Sequence, residues 1–124
     1  MNFDYQKARN FLNQKKKEKK ERYFKFFEKA SDDFQKILNI IVKKYNPDRV
    51  YQWGSLLNKN SFRDYSDIDI AVEGVESAET FFNMYKDIES VTDFPVDLVH
   101  FEKIEQEFRD IIKMKGKIVY ERKI

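Results

Sequence analysis

Two aspartates one residue apart, Asp67 and Asp69, follow a Gly-Ser pair, Gly54 and Ser55, with residues 56–66 between the two motifs. The run Asp67-Ile68-Asp69-Ile70-Ala71-Val72-Glu73 alternates polar with apolar residues and is rich in Ile and Val, which predicts a strand. Side chains two residues apart leave a strand on the same face, so both carboxylates point one way while Ile68, Ile70 and Val72 point into a core. Like charges held this close are costly to keep ionised unless a cation stands between them. Mg²⁺ suits such a pair, because it takes oxygen ligands and binds through one or two carboxylates together with substrate phosphates. By itself, Asp-x-Asp equally describes an edge strand with an acidic solvent face.

Gly54 and Ser55 come directly after the short run Val50–Trp53. A glycine just past a strand lets the backbone turn tightly and approach a ligand. If Ser55 opens a short helix through Leu56 and Leu57, backbone N–H groups at its start can hold phosphate oxygens, with the Ser55 hydroxyl as a further donor. An ordinary turn with a serine cap fits Gly-Ser alone just as well. Requiring both motifs at this spacing narrows the choice to a site for a metal-bound nucleotide.

These residues resemble the signature of the minimal nucleotidyltransferases of the DNA polymerase β superfamily: Gly-Ser, a spacer of about this length, Asp-x-Asp, then a third carboxylate on a later strand. Pro95-Val96-Asp97-Leu98-Val99-His100 supplies that strand and Asp97, and the resemblance spans roughly residues 34–121. It implies an α+β, polymerase β-like nucleotidyltransferase fold, with a small mixed sheet flanked by helices. It also implies that Asp67, Asp69 and Asp97 bind two Mg²⁺ ions and carry catalysis, with ATP as substrate. The family commonly follows Gly-Ser with Arg-x-Arg-Gly, whereas this chain has Leu56-Leu57-Asn58-Lys59-Asn60. Lys59 or Arg63 is therefore the expected source of positive charge at the nucleotide, beside Gly54 and Ser55.

Stand-alone members this small resemble the nucleotidyltransferase half of prokaryotic two-gene toxin–antitoxin pairs, whose partner is an all-helical HEPN ribonuclease. The resemblance implies transfer of AMP to a tyrosine of that toxin. Two other readings stay open: an antitoxin that neutralises its partner by contact alone, and a nucleic-acid-binding module that uses the basic residues within 7–29.

The elements that must position these groups follow from the rest of the chain. Its 124 residues fit one domain with a real core. A net charge of +2 gives no bulk argument for nucleic acid, and the absence of cysteine excludes disulfides and thiolate metal sites. No apolar run reaches membrane-spanning length, so a cytoplasmic protein that does not meet the membrane is expected. Charge is uneven: residues 1–30 carry a net +6, leaving −4 for the remainder. That first stretch reads as a basic helical extension, one helix or two abutting ones, anchored by Phe11 and Leu12 and by the cluster Tyr23, Phe24, Phe26 and Phe27.

Residues 31–124 read as the nucleotidyltransferase domain. Ser31, with Asp32 and Asp33 after it, predicts a helix start, and Phe34, Ile37, Leu38, Ile41, Val42 and Tyr45 then recur at helical spacing. Asn46-Pro47-Asp48 ends that helix, and Arg49–Trp53 is the first strand. A second helix over 77–91 buries Phe81, Phe82, Tyr85 and Ile88, and a last one over 104–115 buries Ile104, Phe108, Ile111 and Ile112. Gly116 caps the last helix, and Ile118–Tyr120 is extended. Trp53 is expected in the core or as a pocket wall, and His100 is assigned no role.

Overall fold

The computed structural model describes residues 3–123. With no Gly or Pro before residue 47, the chain opens as a single helix, α1 (Tyr5–Ile40). Asp4 caps it, accepting from the Lys7 backbone N–H at 3.0 Å. Thirty-six residues make a rod of about 54 Å. Only its second half meets the rest of the chain.

Ser31 opens no helix; it lies inside α1. Phe26, Phe27, Ala30, Phe34 and Ile37 lie along one packed face that runs straight through it. Tertiary burial of that stripe overrides the local start signal. Asp33 is fully buried rather than facing a helix end. Its carboxylate accepts from Lys29 Nζ and from the Thr92 hydroxyl, both at 2.7 Å, and so fastens α1 to a distant loop. A division at residue 30 falls within α1. Phe11 and Leu12, expected as anchors, are 62% and 58% exposed. A wider turn, Ile41–Tyr45, continues α1 and ends at Asn46, whose φ of 45° stops the helix before Pro47.

Four strands follow: β1 (Arg49–Trp53), β2 (Ile68–Glu73), β3 (Val96–His100) and β4 (Lys117–Glu121). Their order is β3-β2-β1-β4. β1 runs antiparallel to both β2 and β4, whereas β2 and β3 are parallel, joined through the crossover helix α2 (Ala78–Glu89). The sheet is mixed and the fold α+β, as expected.

The sheet separates two apolar clusters. On one face Val50, Ile68, Ile70 and Val72 pack with α1 and with Met84 and Ile88 of α2. On the other, Tyr51, Ala71, Phe101 and Ile112 pack together, with Trp53 and Val99 at their margin. Ile112 belongs to α3 (Gln106–Lys115). Alternation along β2 thus places Ile68, Ile70 and Val72 on the α1 face and Asp69 and Ala71 on the α3 face.

The helices turn differently from the expected registers. Phe82 is 57% exposed, its ring covered by the Lys86 ammonium at 4.8 Å, while Met84 takes the buried position. Phe108 and Ile111 are also exposed, and Ile112 alone of α3 is buried. Where apolar residues are adjacent in sequence, period alone leaves the buried face ambiguous by about one residue, and the facing surface decides it. Among the described residues no helix is long and apolar enough to cross a membrane.

The Asp33 contacts give a test of how α1 is held. Asp33→Ala is expected to cost about 2 kcal/mol, the range for hydrogen bonds to a charged group. Urea denaturation followed by circular dichroism measures it as a lower midpoint with an unchanged slope.

Candidate active site

Asp69 sits second in β2, paired in register with Trp53 of β1 on one side and with Asp97 of β3 on the other. Paired residues project from the same face of a sheet, so the two carboxylates stand side by side with the indole across from them. Asp67 lies one residue before β2, on the solvent-exposed end of the loop. Asp97 is exposed as well, and Asp69 is half-buried.

Gly54 is built against Asp69. Its φ of 79° and ψ of −160° belong to a region that residues with a side chain scarcely visit. A Cβ at this position would fall 2.0 Å from Asp69 Oδ2 and 2.8 Å from its Cγ. The main chain therefore touches the carboxylate, and no other residue type leaves room for it. Ser55 begins a short 3-10 turn, Ser55–Leu57, which the buried Leu56 pins to the core.

The loop from this turn to β2 is held by residues the sequence did not single out. Phe62 is fully buried in an otherwise polar stretch and meets Phe94 and Phe27 edge-on, at centroid distances of 5.8 and 6.4 Å. The Ser66 hydroxyl accepts from the Arg63 N–H at 2.9 Å, and the Ser66 N–H donates to the Arg63 carbonyl at 3.1 Å. That closed turn delivers the chain into Asp67. A lone phenylalanine among polar loop residues was the available signal.

Lys59 and Arg63, the expected nucleotide-binding cations, lie on the loop that faces α1. Arg63 donates to the carbonyls of Asn60 and Phe62 at 2.8 and 3.0 Å and lies over the Tyr23 ring of α1 at 4.8 Å. Lys59 and Arg63 together line a groove against α1. Gly54, Ser55, Asp69 and Asp97 are brought together; Lys59 and Arg63 face the helix.

Electrostatics mark Asp69 as the strained member. Burial raises its pKa most, the Asp97 and Asp67 carboxylates raise it further, and it reaches about 7. Among the described residues no three Asp, Glu, His or Cys side chains are gathered into a ready-made metal cage. The donor set nonetheless suits a hard divalent cation: all three groups are carboxylates, and the potential that pushes Asp69 towards protonation is one a cation relieves. Trp53 Nε1 is buried without a hydrogen-bond partner among the described residues, and the indole forms an apolar wall. His100 donates from Nε2 to the Val75 carbonyl at 2.7 Å and stacks on Phe81 at 4.7 Å, a structural position.

The sequence model of the family described as polymerase beta, nucleotidyltransferase matches residues 35–124. No protein of curated function matches the chain. Among solved structures, a crystal structure of the toxin–antitoxin MntA–HepT is similar with a TM-score of 0.56 and 20% identity, covering 74% of this chain and 73% of that one. A crystal structure of the toxin–antitoxin with AMP-PNP is similar with a TM-score of 0.57 and 22% identity, covering 73% of each chain. At these identities the likeness is one of fold.

The raised Asp69 pKa predicts a pH dependence. Its folded value of about 7 lies above the ordinary carboxylate value of 3.8, so between the two the folded state holds the extra proton. This group's contribution to stability is complete below about pH 4 and is lost as the pH rises through about 7. Asp69→Asn is therefore expected to raise the melting temperature of the metal-free protein at pH 8 and to leave it unchanged near pH 4. Thermal melts of both proteins across that range measure it; parallel profiles would remove the strain argument.

Proposed function

Because the chain belongs to the polymerase β nucleotidyltransferase family, we propose that it transfers AMP from Mg·ATP to a hydroxyl, that of a tyrosine on a helical HEPN ribonuclease toxin, and so acts as an antitoxin. The observation that carries this reading is the pairing of Asp69 with Asp97 across parallel strands, with the Gly54 main chain set against Asp69. A core-forming or purely steric role gives no reason to hold like charges in register beside a glycine that nothing else can replace.

In this reading Asp67, Asp69 and Asp97 hold two Mg²⁺ ions, which when bound neutralise the triphosphate and lower the pKa of the acceptor hydroxyl. The chain's own residues position the reactants. Gly54 and Ser55 line the phosphates: the absent Gly54 Cβ lets the turn close against the Asp69 carboxylate, and the Ser55 hydroxyl donates to a phosphate oxygen. Asp69, half-buried, is the rigid member, fixed by register on both sides. Asp97 and Asp67 are exposed, which leaves them open to an acceptor from outside the chain. The hydroxyl oxygen bonds to the α-phosphorus as its proton passes to solvent water, the bond from that phosphorus to the β-phosphate bridging oxygen breaks, and pyrophosphate leaves with the bonding pair. Positioning and charge stabilisation are the whole of the protein's contribution.

Two observations favour ATP and a protein acceptor. A solved relative in fold is described with AMP-PNP, an ATP analogue, and two are described as toxin–antitoxin complexes. In addition, Phe108, Ile111 and Met114 are exposed in a row along α3, with the exposed Ile118 just after it. An apolar stripe of this kind on a small domain marks a surface for a protein partner.

Co-expression with such a toxin and incubation with α-labelled ATP tests the reading. Label should pass to the toxin with the parent protein and fall at least 100-fold with Asp67→Ala or Asp69→Ala, a scale typical of losing a transition-state charge contact. Ser55→Ala should act more mildly, because main-chain donors remain. Labelling by the aspartate variants equal to that by the parent would remove the catalytic reading and leave neutralisation by contact.

A further inference from the structure

We propose that the groove between α1 and the loop 58–63 is a binding site for single-stranded nucleic acid, separate from the nucleotide site. The groove has a volume of about 1130 Å³, above the usual range for small-molecule sites. Seven of its twelve lining residues are Lys or Arg and two are Glu. Its charge comes from both walls: Lys16, Lys19 and Lys20 among others on α1, and Lys59 and Arg63 on the loop.

None of these seven cations is ion-paired with an acid among the described residues. By contrast, Lys15, on the same helix but outside the groove, meets Glu18 at 3.8 Å. A solvated helical face mixes its charges evenly; here seven cations stand against two acids, Glu21 and Glu28, and the positive potential is in excess. Lys16, Lys20 and Tyr23 recur about one turn apart, close to 5.4 Å, which sets two cations and an aromatic ring in a row along the groove.

The aromatic residues point to a strand with bases rather than to an acidic peptide. Phe24 lines the groove and is 45% exposed, an apolar ring kept among cations without a packing role. Tyr23 carries Lys19 and Arg22 at 5.8 Å and Arg63 at 4.8 Å around its ring. Unpaired cations that track a backbone, with rings between them to receive bases, make up the general design of non-specific single-strand binding. Arg63 also links the groove to the acids, because the turn it closes with Ser66 leads directly to Asp67. The inference stands without the proposed AMP transfer.

The test uses the full chain and a fluorescein-labelled twelve-nucleotide oligo-U, with oligo-dT alongside, followed by anisotropy between 50 and 200 mM salt. Binding should weaken as salt rises, with a log–log slope near −0.7 for each phosphate contacted. The double variant Lys59→Ala/Arg63→Ala should lose roughly 10-fold or more in affinity and flatten the slope. A control with the same charge loss outside the groove, Lys113→Ala/Lys115→Ala, should bind as the parent does. Phe24→Ala should weaken binding about 10-fold at an unchanged slope, the mark of lost stacking. Circular dichroism confirms that each variant is folded. Absence of binding at 50 mM salt, equal losses in the two double variants, or tighter binding of a labelled poly-glutamate peptide than of either oligonucleotide would overturn the proposal.

Discussion

Repulsion among carboxylates, held in place by main-chain register, is the constraint on which the structure turns. Asp69 lies in register between Trp53 of β1 and Asp97 of β3, so it cannot retreat from Asp97 without slipping the sheet. Gly54 closes off the remaining direction. Burial first, and the Asp97 and Asp67 carboxylates after it, push the Asp69 pKa up to about 7. Folding stability is given up locally for a strongly negative, half-buried point, the kind of strain that clusters at functional sites.

The rest of the fold supports that point. One face of the sheet is backed by the second half of α1 and by α2, with Ile68, Ile70 and Val72 fully buried beneath the alternating acids. The loop that separates Gly-Ser from Asp-x-Asp is polar, yet Phe62 nails its middle to Phe27 and Phe94. That aromatic contact also ties the loop to α1. The same helix, through Asp33 and Thr92, is fixed to the chain just ahead of β3. Both acidic strands are thereby referred to one rod, and movement of α1 would be felt at Asp67 and Asp97 alike.

The long helix serves two ends of the molecule differently. From about Tyr23 onward it is core; before that point it is basic and exposed. The groove shared with loop 58–63 lies at the transition. Lys59 and Arg63 line it, Arg63 held by two carbonyls and the Tyr23 ring.

The strands β1, β2 and β3 and the helix that starts after Ser77 were legible in the sequence, because strand alternation and local turn signals are settled by neighbours a few positions away. Ile68, Ile70 and Val72 fell inward as their period required, and Ser77 caps α2 by accepting from the Thr80 N–H. Tertiary structure alone decided the parallel register that sets Asp97 beside Asp69, the passage of α1 through the capping signal at Ser31, the exposure of Phe82, Phe108 and Ile111, and the turning of Arg63 towards α1. Each of these depends on a surface contributed by a segment distant in the chain. Burial against such a surface outweighs local preferences of a kcal/mol or less, so no window of neighbouring residues contains the answer.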